Sequence, residues 1–144
     1  MSLDRELIFS TLFTAVSGAN GILTASRKFR GFDDIQPEFC PALFMVESPE
    51  EGVEQRKGLP PKYTLSAEIF LRIHTGDEEE SPATALNELI TAVEDTLAPD
   101  ISTNVNNLGL DNVSHCWIVG PILKFPAYVG NKGAAIITVN ILAT

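Results

Sequence analysis

Residues 63–74 constrain the fold more than any other segment. Tyr63, Leu65, Ala67, Ile69, Leu71 and Ile73 fall on one side of an extended chain. Thr64, Ser66, Glu68, Arg72 and His74 fall on the other, with Phe70 as the exception among them. Strict alternation over this length predicts a strand with one face buried and the other mostly wet. A chain built around such a strand needs a covering layer on one side only.

Two helices are predicted to supply that layer. Leu3, Leu7, Ile8, Leu12, Ala15 and Val16 recur at helical spacing. Asp4 and Glu6 fall in the first turn, where the helix dipole favours negative charge, and Gly18, Asn20 and Gly21 end the helix. The second helix opens at Ser81-Pro82, with Ser81 as N-cap and Pro82 at the first helical position. Leu86, Leu89, Ile90, Val93 and Leu97 form its apolar stripe, and Pro99 stops it. Gly76 to Glu80 reads as a solvated acidic turn beside the positive end of this helix.

Further strands are expected at 25–31, Ala42 to Glu47, Val113 to Val119 and Ala134 to Leu142. In the third of these, His115 and Trp117 share one face, and Cys116 and Ile118 the other. Gly120-Pro121 signals a bend, with Ile122 to Phe125 continuing beyond it. Pro37 and Pro41 bracket a turn, and Gly130 to Gly133 carries turn chemistry. Residues 48–62 and 99–112 show no periodicity and read as long polar connections. Two helices cannot cover both faces of such a sheet. The expected fold is therefore α+β: a mainly antiparallel sheet of four to five strands with two helices packed on one face.

The chain has 144 residues, 44% of them hydrophobic, and is expected to form one domain over 1–144 whose core needs neither disulfide nor metal. The formal net charge of −9 argues against a surface built for nucleic acid or anionic membrane, because both require a dense positive field. No apolar run approaches the roughly 20 residues of a membrane span, and the charged N-terminus does not resemble a signal peptide. Synthesis and folding in the cytoplasm are expected. Cys116 reads as a small buried hydrophobe, and a bridge to Cys40 is a minor alternative.

Chemistry-bearing motifs are scarce. His74 and His115 lie on different strands and would need to be neighbours across the sheet to share a metal. Asp77 to Glu80 lacks the alternating ligands and closing glutamate of a calcium loop. Cys116 adjoins His115, but neighbours on a strand point to opposite faces and cannot pair. Gly130-Asn131-Lys132-Gly133 lacks the Walker spacing and a following helix. No catalytic, metal or cofactor residue is expected.

One charge feature stands out. Arg27, Lys28, Arg30, Arg56, Lys57 and Lys62 place six of the ten cations within residues 27–62. These are either solvated loop charges offset by Glu50, Glu51 and Glu54, or a positive face that meets an acidic partner or neighbouring subunit.

The order of segments resembles that of bacteriophage tail terminator and tail completion (minor tail) proteins of long-tailed phages. The likeness rests on Phe29-Arg30-Gly31-Phe32-Asp33-Asp34, Cys40-Pro41-Ala42-Leu43-Phe44 and Lys57-Gly58-Leu59-Pro60-Pro61-Lys62-Tyr63-Thr64-Leu65. It continues through Ser81-Pro82-Ala83-Thr84-Ala85-Leu86-Asn87, His115-Cys116-Trp117-Ile118 and Ala134-Ala135-Ile136-Ile137-Thr138-Val139. The resemblance implies an α+β subunit of a homo-oligomeric ring, usually a hexamer. Such a ring caps the tail tube, ends its polymerisation and offers the surface on which the head docks. Its implied partners are the tail tube protein and the head–tail connector proteins, and its implied place is the virion tail. The family has no catalytic residues to carry over. A head–tail connector subunit is the nearest alternative. A small-molecule-binding α+β module, with Trp117, His115 and Phe70 lining its pocket, is a more distant one.

Overall fold

The computed structural model describes residues 3–30, 35–54, 57–59, 61–76, 81–126 and 132–144. In chain order the elements are helix α1 (Arg5–Ser17), strands β1 (Thr24–Ser26), β2 (Ala42–Glu47), β3 (Glu51–Glu54) and β4 (Lys62–His74), helix α2 (Pro82–Thr96), and strands β5 (Val113–Pro126) and β6 (Lys132–Ala143). A single 3-10 turn, Pro37–Phe39, precedes β2.

The alternating segment is the centre of the sheet. The strand order is β1-β2-β4-β6-β5, with β3 pairing onto β4 beside β2. β4 and β6 pair antiparallel in unbroken register from Tyr63 opposite Ala143 to His74 opposite Lys132. Leu65, Ala67, Ile69, Leu71 and Ile73 of β4 and Ala135, Ile137, Val139 and Ile141 of β6 are all buried in one core. Leu43 and Met45 extend this face onto β2, and Cys116 extends it onto β5. Both helices lie over it. Ile8, Phe9, Leu12 and Val16 of α1, with Leu86, Leu89, Ile90 and Val93 of α2, complete the same core. Each fully buried Leu, Ile or Phe contributes about 1.5–3 kcal/mol relative to exposure. The α+β class, the mainly antiparallel pairing and the one-sided helical layer therefore follow from the residue pattern.

The helix ends differ in detail from expectation. Asp4 is the N-cap of α1, its carboxylate accepting from the Leu7 amide at 3.0 Å. Ser81 caps α2 through its carbonyl, which accepts from the amides of Thr84 and Ala85, and its hydroxyl makes no capping bond.

Two strand expectations are corrected. The connection 48–62 is not all loop, because β3 pairs antiparallel with β4 through Glu51 opposite Thr64 and Glu54 opposite Lys62. β4 overruns β2 at this end, which leaves backbone groups that β3 satisfies. The early strand is only Thr24–Ser26, and it runs parallel to β2, so the sheet has six strands and is mixed. As expected, the strand continues through Ile122 to Phe125 past the bend at Gly120-Pro121. Gly120 takes φ +69°, and the register with β6 shifts between Val119 and Leu123, so one long strand passes through an irregularity.

Arg72 was expected on the wet face but is only 7% exposed. Phe29 covers it. The Arg72 guanidinium lies 5.7 Å from the ring centroid of Phe29 and 5.8 Å from that of Phe70. Phe70, the apolar exception in the alternation, packs against Phe29 within this second, smaller layer, as does Phe44.

Candidate functional site

The five basic residues that are described lie in different settings. Arg27, just beyond β1, donates to Glu6 of α1 and, at 2.9 Å, to Glu47 of β2. Its pKa is raised chiefly by the hydrogen bond to Glu6. This side chain ties three segments together and presents little net positive charge. Lys28 and Arg30 follow it and are exposed. Lys57 is exposed in a turn, and Lys62 is exposed at the start of β4 opposite Glu54. Lys62 lies five residues from Ala67, the partner of Glu47, so roughly 17 Å of strand separates it from that level. Arg56 lies outside the described residues. Glu50, expected to offset these cations, instead accepts from Arg5 at 3.0 Å. Of the three acids proposed as counterions, the side chains of Glu51 and Glu54 are outside the described set.

The histidines are also far apart. His74 opposes Lys132 at one end of β6, and His115 opposes Leu142 at the other. Ten residues of strand correspond to roughly 33 Å, so they are not cross-sheet neighbours. His115 instead stacks on Trp117 with ring centroids 5.3 Å apart, and its Nδ1 accepts from the Asn106 amide at 3.0 Å. Phe70 lies two strands away and packs on Phe29, so the three aromatic residues do not line one pocket. Among the described residues, no group of three or more His, Cys, Asp or Glu is placed to hold a metal ion. Cys40 and Cys116 are unbridged, and burial pushes the Cys116 thiol up to about 12. Among the described residues, no helix is long and apolar enough to cross a membrane.

What the fold leaves open is its edges. The sheet ends in β1 on one side and in β5 on the other. A groove of about 440 Å³ lies beside β1, lined by the apolar Ala25, Ile35, Phe39 and Phe44 and by the polar Thr24, Ser26, Arg30 and Gln36. On the β5 side, Leu123 and Phe125 are 45% and 53% exposed. Their β6 partners, Ile136 and Ala134, place them on the face away from the helices. The turn leading from α2 to β5 holds Ile101 at 97% exposure. Sequence reasoning missed the β1 groove and the Ile101 turn. The groove forms between segments distant in sequence. Ile101, an apolar residue in an otherwise polar loop, was the available signal for the turn.

No protein-family model matches the chain, and no curated protein matches it. Among solved structures it is similar to a chain described as "Virion of native gene transfer agent (GTA) particle", with 12% identity and a TM-score of 0.49. The match covers 94% of this chain and 90% of that one.

Proposed function

We propose that this protein is a non-catalytic structural subunit that works by self-assembly. The reading is of a ring in a phage-like tail that caps the tube, ends its growth and presents a surface to the head. The observation that carries self-assembly is the pairing of a complete core with an incomplete surface. Among the described residues, twenty-four that are buried form one hydrophobic cluster between the helices and the sheet, so the core is built within the chain. Beyond that core, the fourteen-residue β5 pairs on one side only among the described residues, with Leu123 and Phe125 exposed on its face away from the helices. Unpaired edges flanked by apolar side chains favour protein contacts.

The tail assignment rests on the sequence resemblance. Stopping a helical polymer needs a closed ring that matches the tube on one side and refuses addition on the other. Shape complementarity accomplishes this without making or breaking a bond.

Native mass spectrometry and negative-stain microscopy of the purified protein test the assembly reading. Closed rings of several copies are expected, and a monomer at every concentration would overturn it. Deleting the gene from a particle-producing host tests the role. Overlong tails support termination, whereas normal-length tails without heads favour the connector alternative.

A further inference from the structure

The last turn of α2 breaks a local electrostatic rule. A helix ends in its negative dipole pole, where lysine or arginine is favourable. Here Glu94 and Asp95 occupy the last turn, both exposed, and no basic residue joins them. Asp100 follows just beyond Pro99. Between Arg72 and Lys124 the sequence holds no lysine or arginine. Lys124 itself is engaged with Asn87 at 3.0 Å, about two turns nearer the start of α2. Among the described residues, no ion pair compensates Glu94, Asp95 or Asp100.

This charge stands beside an opening. A cavity of about 360 Å³ lies between the end of α2 and β5. It is lined by residues 97–99 and 115–118, apolar except for His115, and by Glu94, its one carboxylate. His115 is already engaged, stacked on Trp117 and accepting from the Asn106 amide. β5 is also a sheet edge. From His115 to Val119 its register with β6 is unbroken, with one shift before this stretch and one after. Among the described residues, these positions pair with β6 alone, so their outward amides and carbonyls are available to a further strand.

We propose that this stretch accepts one added strand: an extended segment of a partner protein, with an apolar side chain for the cavity and a lysine or arginine for Glu94 and Asp95. Side chains two apart share a strand face, so the apolar and basic residues stand at alternate positions. Backbone pairing holds the segment, and the cavity and carboxylates select it. A second copy of this chain has no such strand to give. Among the described strands, β1 reads Thr-Ala-Ser, β3 reads Glu-Gly-Val-Glu, and a second β5 would bring carboxylates to carboxylates. The inference rests on the reading of β5 as a contact margin and fills only its first half. Leu123 and Phe125, beyond Gly120, stay available for assembly.

The probe is the capped peptide Thr-Lys-Thr-Val-Thr-Lys-Thr, labelled for fluorescence anisotropy and unlabelled for tryptophan emission. Trp117, the single tryptophan of the chain, lines the cavity and reports where the peptide sits. Saturable binding with a shift in Trp117 emission is expected. Replacing both peptide lysines by glutamate, or methylating the peptide amides, should abolish it. Glu94→Lys/Asp95→Lys should weaken binding about tenfold while raising the melting temperature, because the new charges relieve the helix end. A merely structural role would move stability alone. No binding at millimolar peptide, binding that leaves Trp117 emission unchanged, or equal binding of the glutamate peptide or by the double variant overturns the proposal. Emission that shifts only with the protein's own concentration assigns the margin to a second copy and also overturns it. Native mass spectrometry reads assembly separately. Rings without peptide binding leave the assembly reading intact, and peptide binding by a protein that is monomeric throughout removes that reading alone.

Discussion

The ring of Phe29 meets the ring of Phe70 edge-on, with centroids 4.8 Å apart and planes at 64°. Phe29 comes from the segment after β1 and Phe70 from the middle of β4. The Arg72 guanidinium lies 5.7 and 5.8 Å from the two ring centroids, and its burial lowers its pKa through desolvation. Phe29 is still 46% exposed, so its truncation should cost less than that of a core phenylalanine. Phe29→Ala is expected to destabilise the fold by about 1–2 kcal/mol, from partial burial and the lost aromatic pair. Urea denaturation should show an earlier midpoint with an unchanged slope.

Two isoleucines give a matched comparison. Ile137 is fully buried at the centre of β6, and Ile101 stands in solvent. Ile137→Ala should cost about 2–5 kcal/mol, because the transfer term and the cavity term add. Ile101→Ala should stay within about 0.5 kcal/mol, as expected of a surface site. Thermal melts of the two variants at one protein concentration, low enough to exclude assembly, check this.

The two thiols should differ in reactivity. Burial pushes the Cys116 thiol up to about 12, whereas Cys40 is partly exposed and burial raises its thiol too. Raising a thiol from an ordinary value near 9 to about 12 lowers its thiolate fraction near neutral pH about 1000-fold. A colorimetric thiol reagent should label Cys40 in the folded protein and reach Cys116 only after denaturant is added. Equal rates in native buffer would contradict the buried placement.

Much of this was legible because β4 carries its burial pattern in its own residues. Leu65 to Ile73 alternate, and their partners on β6 alternate in step. β3 was not legible, since Glu-Gly-Val-Glu has no face of its own and is a strand only because β4 extends past β2. The covering of Arg72 was half visible. Phe70 among polar neighbours marked an interruption in the wet face, but the residue that packs there, Phe29, is 41 positions earlier in the chain. The pairing of Arg27 was hidden for a related reason. Glu6 and Glu47, which neutralise Arg27, are remote in sequence and meet it only through the fold.

Two carboxylates carry a pH signature. Glu50 is held below its ordinary value of 4.5, first by the hydrogen bond from Arg5. Asp100 is held below 3.8, first by the Ser102 hydroxyl. Both folded values are depressed, so each contribution is complete above the unfolded value and is lost as pH falls through the folded one. Carboxyl carbon NMR should show both midpoints lowered. Arg5→Ala should raise that of Glu50 alone, and Ser102→Ala that of Asp100 alone.

Gly133 and Ile73 should be energetically coupled. They are register partners, and a Cβ on Gly133 would lie 2.9 Å from Ile73 Cγ1 and 3.0 Å from Cδ1. Gly133→Ala is expected to cost about 1–3 kcal/mol through overpacking. In an Ile73→Ala background that penalty should shrink, since both clashing atoms are gone, and a double-mutant cycle measures the difference.

The irregularity within β5 has a further consequence for solubility. Fourteen residues of straight, unguarded strand would invite indefinite stacking of chains, the geometry of amyloid. Gly120 turns the backbone through φ +69°, Pro121 has no amide hydrogen to offer, and the register slips at that point. A second strand laid along this margin loses alignment halfway, so aggregation cannot propagate from it as a regular ladder. Among the described residues, β5 is thus a long margin paired on one side that does not template an unlimited succession of copies.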